Sequence, residues 1–262
     1  MAMGGEVGKG FRLPLVQRGS SLAAATDVGP VRSRNEDACW VGEAADLLVV
    51  ADGLGGHSDG DLASALAVEA VAELLDKPGT IESPQEAEVA LRAAAVEAHR
   101  RILAHSAAAP GLRSARAMAT TLVIVLVAGG RASVLHVGDS RAYLWRGGEA
   151  VQVTVDHSPV GDLVRSGLLS REDARHQPDR NLLREVLGLE DGYEAEFAEW
   201  ALERGDILLL CTDGVPEALP ETDLGRLLGD CEDAGKVALA LVSEARRAGG
   251  PDNATVAILR VD

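Results

Sequence analysis

Four aspartates stand at abrupt stops in this 262-residue chain: Asp52 in VVADGLGGH, Asp139 in LHVGDSRAY, Asp213 in LLLCTDGV and Asp252 in GGPDNATVAIL. Each adjoins an apolar stretch of strand length, and each lies beside a turn former. Carboxylates fixed at strand ends suit a hard, oxygen-preferring divalent cation, which needs negative charge held in a set direction. If Asp52, Asp213 and Asp252 converge, one bridging carboxylate and two others can hold two cations, with the Gly53 carbonyl as a further oxygen ligand. Two cations about 3.5–4 Å apart acidify a shared water toward neutrality, so no protein nucleophile is required. Each aspartate alone also fits a plain turn, because Gly accepts positive φ and Asp bonds its own backbone.

Phosphoryl chemistry would need more than cations. Arg32 or Arg34 can present a bidentate fork to phosphate oxygens, and His57, just past Asp52, can protonate a leaving alkoxide. The alternatives stay open at this level: a surface ion pair of Arg32 with Glu36, and a simple loop position for His57. There is no GxSxG motif, and Cys39, Cys211 and Cys231 lie in apolar or acidic contexts that raise a thiol pKa. The glycine-rich stretch 53–60 has neither GxGxxG nor a Walker lysine, which argues against nucleotide cradling. His157, His176, Trp40, Trp145, Trp200 and the pair Thr120-Thr121 read as structural residues.

Composition narrows the classes further. Hydrophobic residues make up 47%, enough for a substantial core, while a formal charge of −16 argues against nucleic acid or anionic membrane as a partner. Three cysteines without metal-type spacing fit a reducing compartment. No apolar run approaches the roughly 20 residues of a membrane span, and the opening residues lack the apolar core of a signal peptide. The expectation is a soluble, cytoplasmic protein.

The elements that must position these residues follow from periodicity. A short strand at 47–51 leads into Asp52, then helices are expected at 61–75 and 84–106, the second with Val89, Val96 and Leu103 near one face. Residues 121–127 and 131–137 read as a hairpin that continues through strands 141–145 and 151–154 as an antiparallel meander. The irregular stretch 156–192, with short helical patterns at 159–165 and 170–176, is either a flap over a site or a surface insertion. Strands at 195–202, 207–211 and 254–261 and helices at 216–228 and 234–248 complete the pattern. Grouped rather than alternating elements predict a two-sheet antiparallel α+β fold, with residues 1–20 a loose tail and 21–262 one domain.

Taken in order, TDVGPVRSRNEDA, VVADGLGGH, MATTL, LHVGDSRAYLWRGG, TVDHS, LLLCTDGV and GGPDNATV resemble the bacterial branch of the metal-dependent protein phosphatases, protein phosphatase type 2C. The resemblance runs from about Thr26 to the C-terminus. It implies a four-layer αββα sandwich and a Ser/Thr phosphoprotein phosphatase that attacks its substrate with a metal-bridging water. By motif, Asp52 would bridge two Mn²⁺ or Mg²⁺ ions, with Asp213 and Asp252 on one and the Gly53 carbonyl on the other. Asp37 would hold the second ion through water, and Asp139 with Asp213 would form a third, weaker site. Arg32 looks like the phosphate-binding arginine, His57 the general acid, and 156–192 the flap that contacts the phosphoprotein. Ala119 replaces the glycine that usually precedes the paired threonines, which should crowd the strand start slightly.

The resemblance further implies phosphoprotein substrates; a cognate Ser/Thr kinase that phosphorylates them and a monomeric enzyme are further expectations. A second reading is a non-enzymatic module that senses metal or binds a phosphorylated partner on the same fold. An anti-sigma-antagonist phosphatase ranks third, because such proteins normally carry fused sensory domains.

Overall fold

The computed structural model describes residues 15–19, 21–44, 46–54, 59–77, 81, 83–108 and 118–262. In chain order these form β1 (Leu15–Arg18), β2 (Leu22–Asp27), β3 (Asp37–Val41), β4 (Asp46–Leu54), α1 (Gly60–Leu75) and α2 (Pro84–Ala108). Next come β5 (Ala119–Thr120), β6 (Leu122–Ala128), β7 (Arg131–Val137), β8 (Arg141–Arg146), β9 (Glu149–Gln152), α3 (Pro159–Arg165) and α4 (Arg171–Ala174). The chain then passes through β10 (Glu196–Ala201), β11 (Ile207–Cys211), α5 (Gly214–Ala218), α6 (Glu221–Gly229), α7 (Ala234–Arg247) and β12 (Ala254–Arg260).

One sheet runs β1-β2-β12-β11-β8-β9 and the other β10-β7-β6-β4-β3, with β5 paired to the end of β4. Neighbouring strands are antiparallel throughout. Side-chain alternation sorts the core into three layers. Leu48 and Val50 of β4, Leu208 and Leu210 of β11, and Ala257 and Leu259 of β12 fill the space between the sheets. Their alternates Leu47, Val49 and Ala51 face α1 and α2. Ile207, Leu209, Val256 and Ile258 pack beneath α5, α6 and α7. Each fully buried Leu or Ile contributes about 1.5–3 kcal/mol of transfer free energy, so this alternation is what stacks the four layers. The result is the αββα sandwich expected from the resemblance.

Four local expectations are corrected. Strands β7 and β8 do not pair: β7 lies between β6 and β10, and β8 between β11 and β9. The chain changes sheets at Gly138, whose φ of +100° permits a reversal closed to most side chains. The expected meander is thus split between the two sheets. On α2 the buried face is Ala87, Leu91, Ala94, Ala95, Ala98 and Ile102, whereas Val89 and Val96 are exposed. Small alanines let α2 sit close against α1, and the outward valines mimic a core stripe. The helix expected at 216–228 is interrupted at Pro220, which caps α6 after α5 has ended. Residues 15–18, placed in the loose tail, form edge strand β1 against β2.

Candidate metal centre

Asp37 opens β3 and stands opposite Asp52 of β4 in the antiparallel register. Asp52 is therefore not at a strand end; β4 continues through Gly53 because β5 pairs with it there. Paired threonines hold this part of β4. Thr120 Oγ1 donates to the Asp52 carbonyl at 2.8 Å, and Thr121 donates its N–H to the same carbonyl at 2.9 Å. Asp52 N–H in turn donates to Thr121 Oγ1 at 2.9 Å. Thr121 Oγ1 lies 2.7 Å from Ser140 Oγ, next to Asp139. The structural reading of these threonines thus gains a specific content: they fix the Asp52 backbone.

Gly53 tolerates no side chain. A Cβ there would come within 2.0 Å of the Gly60 carbonyl oxygen, so the start of α1 is pressed against it. Glu36 shares this corner: its carbonyl accepts from Gly53 N–H at 3.1 Å, and its Oε2 lies 3.0 Å from where a Cβ on Gly60 would stand. Sequence reasoning passed over Glu36 as an ion-pair partner for Arg32. Its adjacency to Asp37 in the NEDA tetrad was the available signal.

The other sheet supplies the remaining carboxylates. Asp213 lies just past β11, after Thr212, and is the N-cap residue of α5, and Asp252 sits just before β12. Asp252 Oδ1 accepts from Asn253 N–H at 2.8 Å, and its Oδ2 takes Arg32 Nη2 at 2.5 Å. Arg32 thus pairs with Asp252 rather than Glu36. Asp37 Oδ2 is gripped by two hydroxyls of the facing sheet, from Thr255 at 2.6 Å and Thr212 at 2.9 Å. Thr26 and Asn35 extend that chain of hydroxyl and amide contacts.

Electrostatics show how closely the acids gather. Burial, followed by repulsion from Asp37, Asp213, Asp139 and Asp252, drives the Asp52 carboxyl well above the usual range. Burial first, with Asp213 and Asp252 opposing the hydroxyl contacts, pushes Asp37 up to about 7. Asp213 is likewise pushed up to about 7 by burial, then by Glu217 and Asp252. Asp139 rises well above its ordinary value through burial and repulsion from Asp213. Like charges brought together in a dry corner raise one another's pKa until a proton or a cation neutralises them. Asp213 Oδ1 is buried without a hydrogen-bond partner among the described residues. An orphaned carboxylate oxygen amid other oxygen donors fits a hard divalent cation.

Of the sequence candidates, Arg32, Asp37, Asp52, Gly53, Asp139, Asp213 and Asp252 meet in this one region. His57 lies outside the described residues. Burial pushes the Cys39 and Cys211 thiols up to about 12, which leaves them without nucleophilic character near neutral pH.

Beside the centre, a cavity of about 510 Å³ is lined by Asp139 and Asp213 at one end and by Arg141, Arg175, Arg180 and Glu217 among others. The stretch 156–192 walls it. Ser158 caps α3 by accepting from Gly161 N–H, Arg175 donates to the Leu219 carbonyl at 2.9 Å, and Arg180 pairs with Glu217 at 3.3 Å. Its far end is pinned by a bridge between Leu187 and Thr120 and by Gly188 N–H on His99 Nδ1 at 3.1 Å.

A second group, His136, His157 and Glu196, has potential ligand atoms within 4.8 Å of one another. It is poorly suited to a cation. His157 Nδ1 accepts from Gly138 N–H at 3.3 Å, which assigns the proton of the neutral ring to Nε2. Glu196 is already paired with Arg165 at 2.5 Å. Burial, and then His157, pushes His136 down to about 4, so this group is a neutral imidazole pair with its own ion pair.

A carboxylate cluster near the strand ends of two stacked sheets, with an arginine on one acid and the Cys39 and Cys211 thiols pushed up by burial, fits a metal-dependent hydrolase. The comparisons with known proteins narrow the class. The family model for protein phosphatase 2C matches residues 31–236. The serine/threonine phosphatase stp of Listeria monocytogenes is 35% identical over 240 residues, covering 90% of this chain and 94% of that protein. The Mycobacterium tuberculosis serine/threonine phosphatase PstP superposes with a TM-score of 0.80 at 35% identity, covering 95% of this chain and 100% of that one. A PstP catalytic domain in complex with 2 manganese ions superposes with a TM-score of 0.77 at 35% identity, with the same coverage. The chain belongs to the protein phosphatase 2C family. It is a metal-dependent protein-serine/threonine phosphatase, and its cofactors are Mn²⁺ or Mg²⁺.

Proposed function

We propose that the described centre performs the hydrolysis, with Asp52, Asp213, Asp252 and the Gly53 carbonyl as direct metal ligands and Asp37 acting through water. Asp139, with Asp213, offers a further cation position. The observation that carries this reading is the unpartnered, buried Asp213 Oδ1 within a set of carboxylates that repel one another even with Arg32 paired to Asp252. Bound Mn²⁺ or Mg²⁺ supplies a water acidic enough to attack phosphorus near neutral pH. The protein's part is to aim and to bind. Thr212 and Thr255 fix Asp37, Thr120 and Thr121 fix Asp52, and the Asn253 N–H fixes Asp252. Arg32, half exposed at the rim, grips the non-bridging oxygens of the phosphate with its fork. His57 holds the proton that the leaving Ser or Thr alkoxide needs, a role resting on its place in the sequence.

The cavity under 156–192 takes the polypeptide flanking the phosphoresidue, so that stretch is assigned as the flap. The substrates are phosphoproteins, and we assign them to a cognate Ser/Thr kinase in the cytoplasm, acted on by a monomer whose residues 21–262, with edge strand β1 added to their sheet, form one catalytic domain. Among the described residues no helix is long and apolar enough to cross a membrane. The test is direct. The full chain with Mn²⁺ should hydrolyse an aryl phosphate and a phosphothreonine peptide, and excess chelator should abolish both. Tight phosphopeptide binding with no turnover at saturating Mn²⁺ would show a binding module instead.

A further inference from the structure

Arg32 lies in the segment 28–36 between β2 and β3, which has no strand partner of its own. A long side chain on an irregular loop can grip phosphate reproducibly only if the backbone beneath it is fixed. Three of the contacts that hold the loop come from one residue near the far end of the chain. Asn253 is 5% exposed, and its side-chain oxygen accepts from Glu36 N–H at 2.8 Å. Its side-chain nitrogen donates to the Val28 carbonyl at 2.9 Å and to the Arg34 carbonyl at 2.9 Å. The three contacts bracket Arg32 on both sides. Close packing reinforces them: Gly29 has φ +73°, and a Cβ there would come within 2.6 Å of the Asp252 carbonyl oxygen.

The same residue reaches the metal centre through its backbone. Its N–H donates to Asp252 Oδ1 at 2.8 Å. Its carbonyl lies where a Cβ on Gly214, the residue after Asp213, would come within 2.0 Å. One residue therefore touches the loop bearing Arg32, the carboxylate of Asp252 and the turn after Asp213. Only a primary amide supplies one acceptor and two donors at this size. A carboxylate would set lone pairs against the Val28 and Arg34 carbonyls, and a hydroxyl is too short to span all three.

We propose that Asn253 is a positioning residue for phosphate recognition: it sets the Arg32 loop in register with Asp252, so that the arginine and the metal ligands address the same phosphate. The inference rests on the reading of Arg32 as the phosphate-binding group. A residue that merely stabilised the fold would lower thermal stability without acting through Arg32, and a double-mutant cycle separates the two roles.

The experiment uses the Mn²⁺-loaded full chain as wild type, Asn253→Ser, Arg32→Ala and the double variant. Hydrolysis of an aryl phosphate, inhibition by inorganic phosphate and calorimetric Mn²⁺ binding are measured on each. Asn253→Ser is expected to weaken phosphate inhibition and kcat/KM by about 10- to 100-fold, with Mn²⁺ affinity changed far less. The double variant should be no worse than Arg32→Ala alone. Independent, multiplying losses in the double variant, or unchanged phosphate inhibition in Asn253→Ser, would overturn the proposal. An Arg32→Ala variant with wild-type phosphate inhibition would instead remove the reading of Arg32 and the proposal with it. Should Asn253→Ser fail to fold, Asn253→Gln keeps the acceptor and both donors while displacing them by one methylene, and the same cycle decides.

Discussion

Replacing Asp213 with Asn should abolish Mn²⁺-dependent turnover and, with chelator present, make the protein harder to melt. The two effects have one cause. Asp213 is a buried carboxyl pushed up to about 7 by burial and by the negative charges of Glu217 and Asp252, and its Oδ1 has no donor. Its charge costs stability in the metal-free chain and is repaid only by a cation. An amide of the same shape removes the charge and with it the repulsion from Glu217 and Asp252. Relief of even about 1 kcal/mol would raise Tm by roughly 2–4 °C for a domain of this size. Losing a shared ligand should lower kcat/KM by at least roughly 10³-fold, or about 4 kcal/mol of transition-state stabilisation. Thermal melts in chelator and steady-state kinetics in Mn²⁺ measure the two halves. Full metal-dependent activity in the variant would show that Asp213 is no ligand.

The second large effect is a pH dependence that metal should reverse. In the metal-free chain Asp37 and Asp213 are both pushed up from 3.8 to about 7, and Asp52 and Asp139 are driven well above their ordinary value. A folded carboxyl that holds its proton more tightly than the unfolded chain adds stability that is fully present below the unfolded pKa. That contribution is lost as pH rises through the folded pKa, here between roughly 4 and 7. The chelated protein should therefore melt at progressively lower temperature as pH climbs from 5 to 8. Cations compete with those protons, so the gain in Tm on adding Mn²⁺ should grow over the same range. At a free concentration about 100 times Kd the stabilisation is about 2.7 kcal/mol, or roughly 5–10 °C. Melts at several pH values with chelator and with Mn²⁺ would show the two curves diverging, and parallel curves would contradict the account.

Much of this was legible in the sequence because the acidic residues of the proposed centre announce themselves as polar interruptions of apolar strands. Asp52, Asp139, Asp213 and Asp252 each break such a run, and the structure brings all four to one end of the stacked sheets. Fold class followed from the grouping of elements, and α3 and β11 occupy the expected residues. The misses share a physical origin. Strand periodicity gives the faces of β7 and β8 but not the sheet each joins, so a change of sheet at Gly138 looks like one more hairpin turn. On α2, alanine carries little hydrophobic signal although it permits the closest helix packing, and the exposed Val89 and Val96 took its place in the reading. The groups that aim the carboxylates were the least visible. Thr212, Thr255 and Asn253 look like ordinary strand-end residues until a fold places their hydroxyls on Asp37 and their amide across a loop more than two hundred residues away.

The central claim is that the carboxylates near the strand ends of the two sheets hold the catalytic ions, and anomalous diffraction from Mn²⁺-loaded crystals tests it most directly. The account predicts two strong manganese peaks among Asp52, Asp213, Asp252 and the Gly53 carbonyl, with Asp37 one water away. Manganese seated on His136, His157 and Glu196, with none beside Asp213, would contradict it.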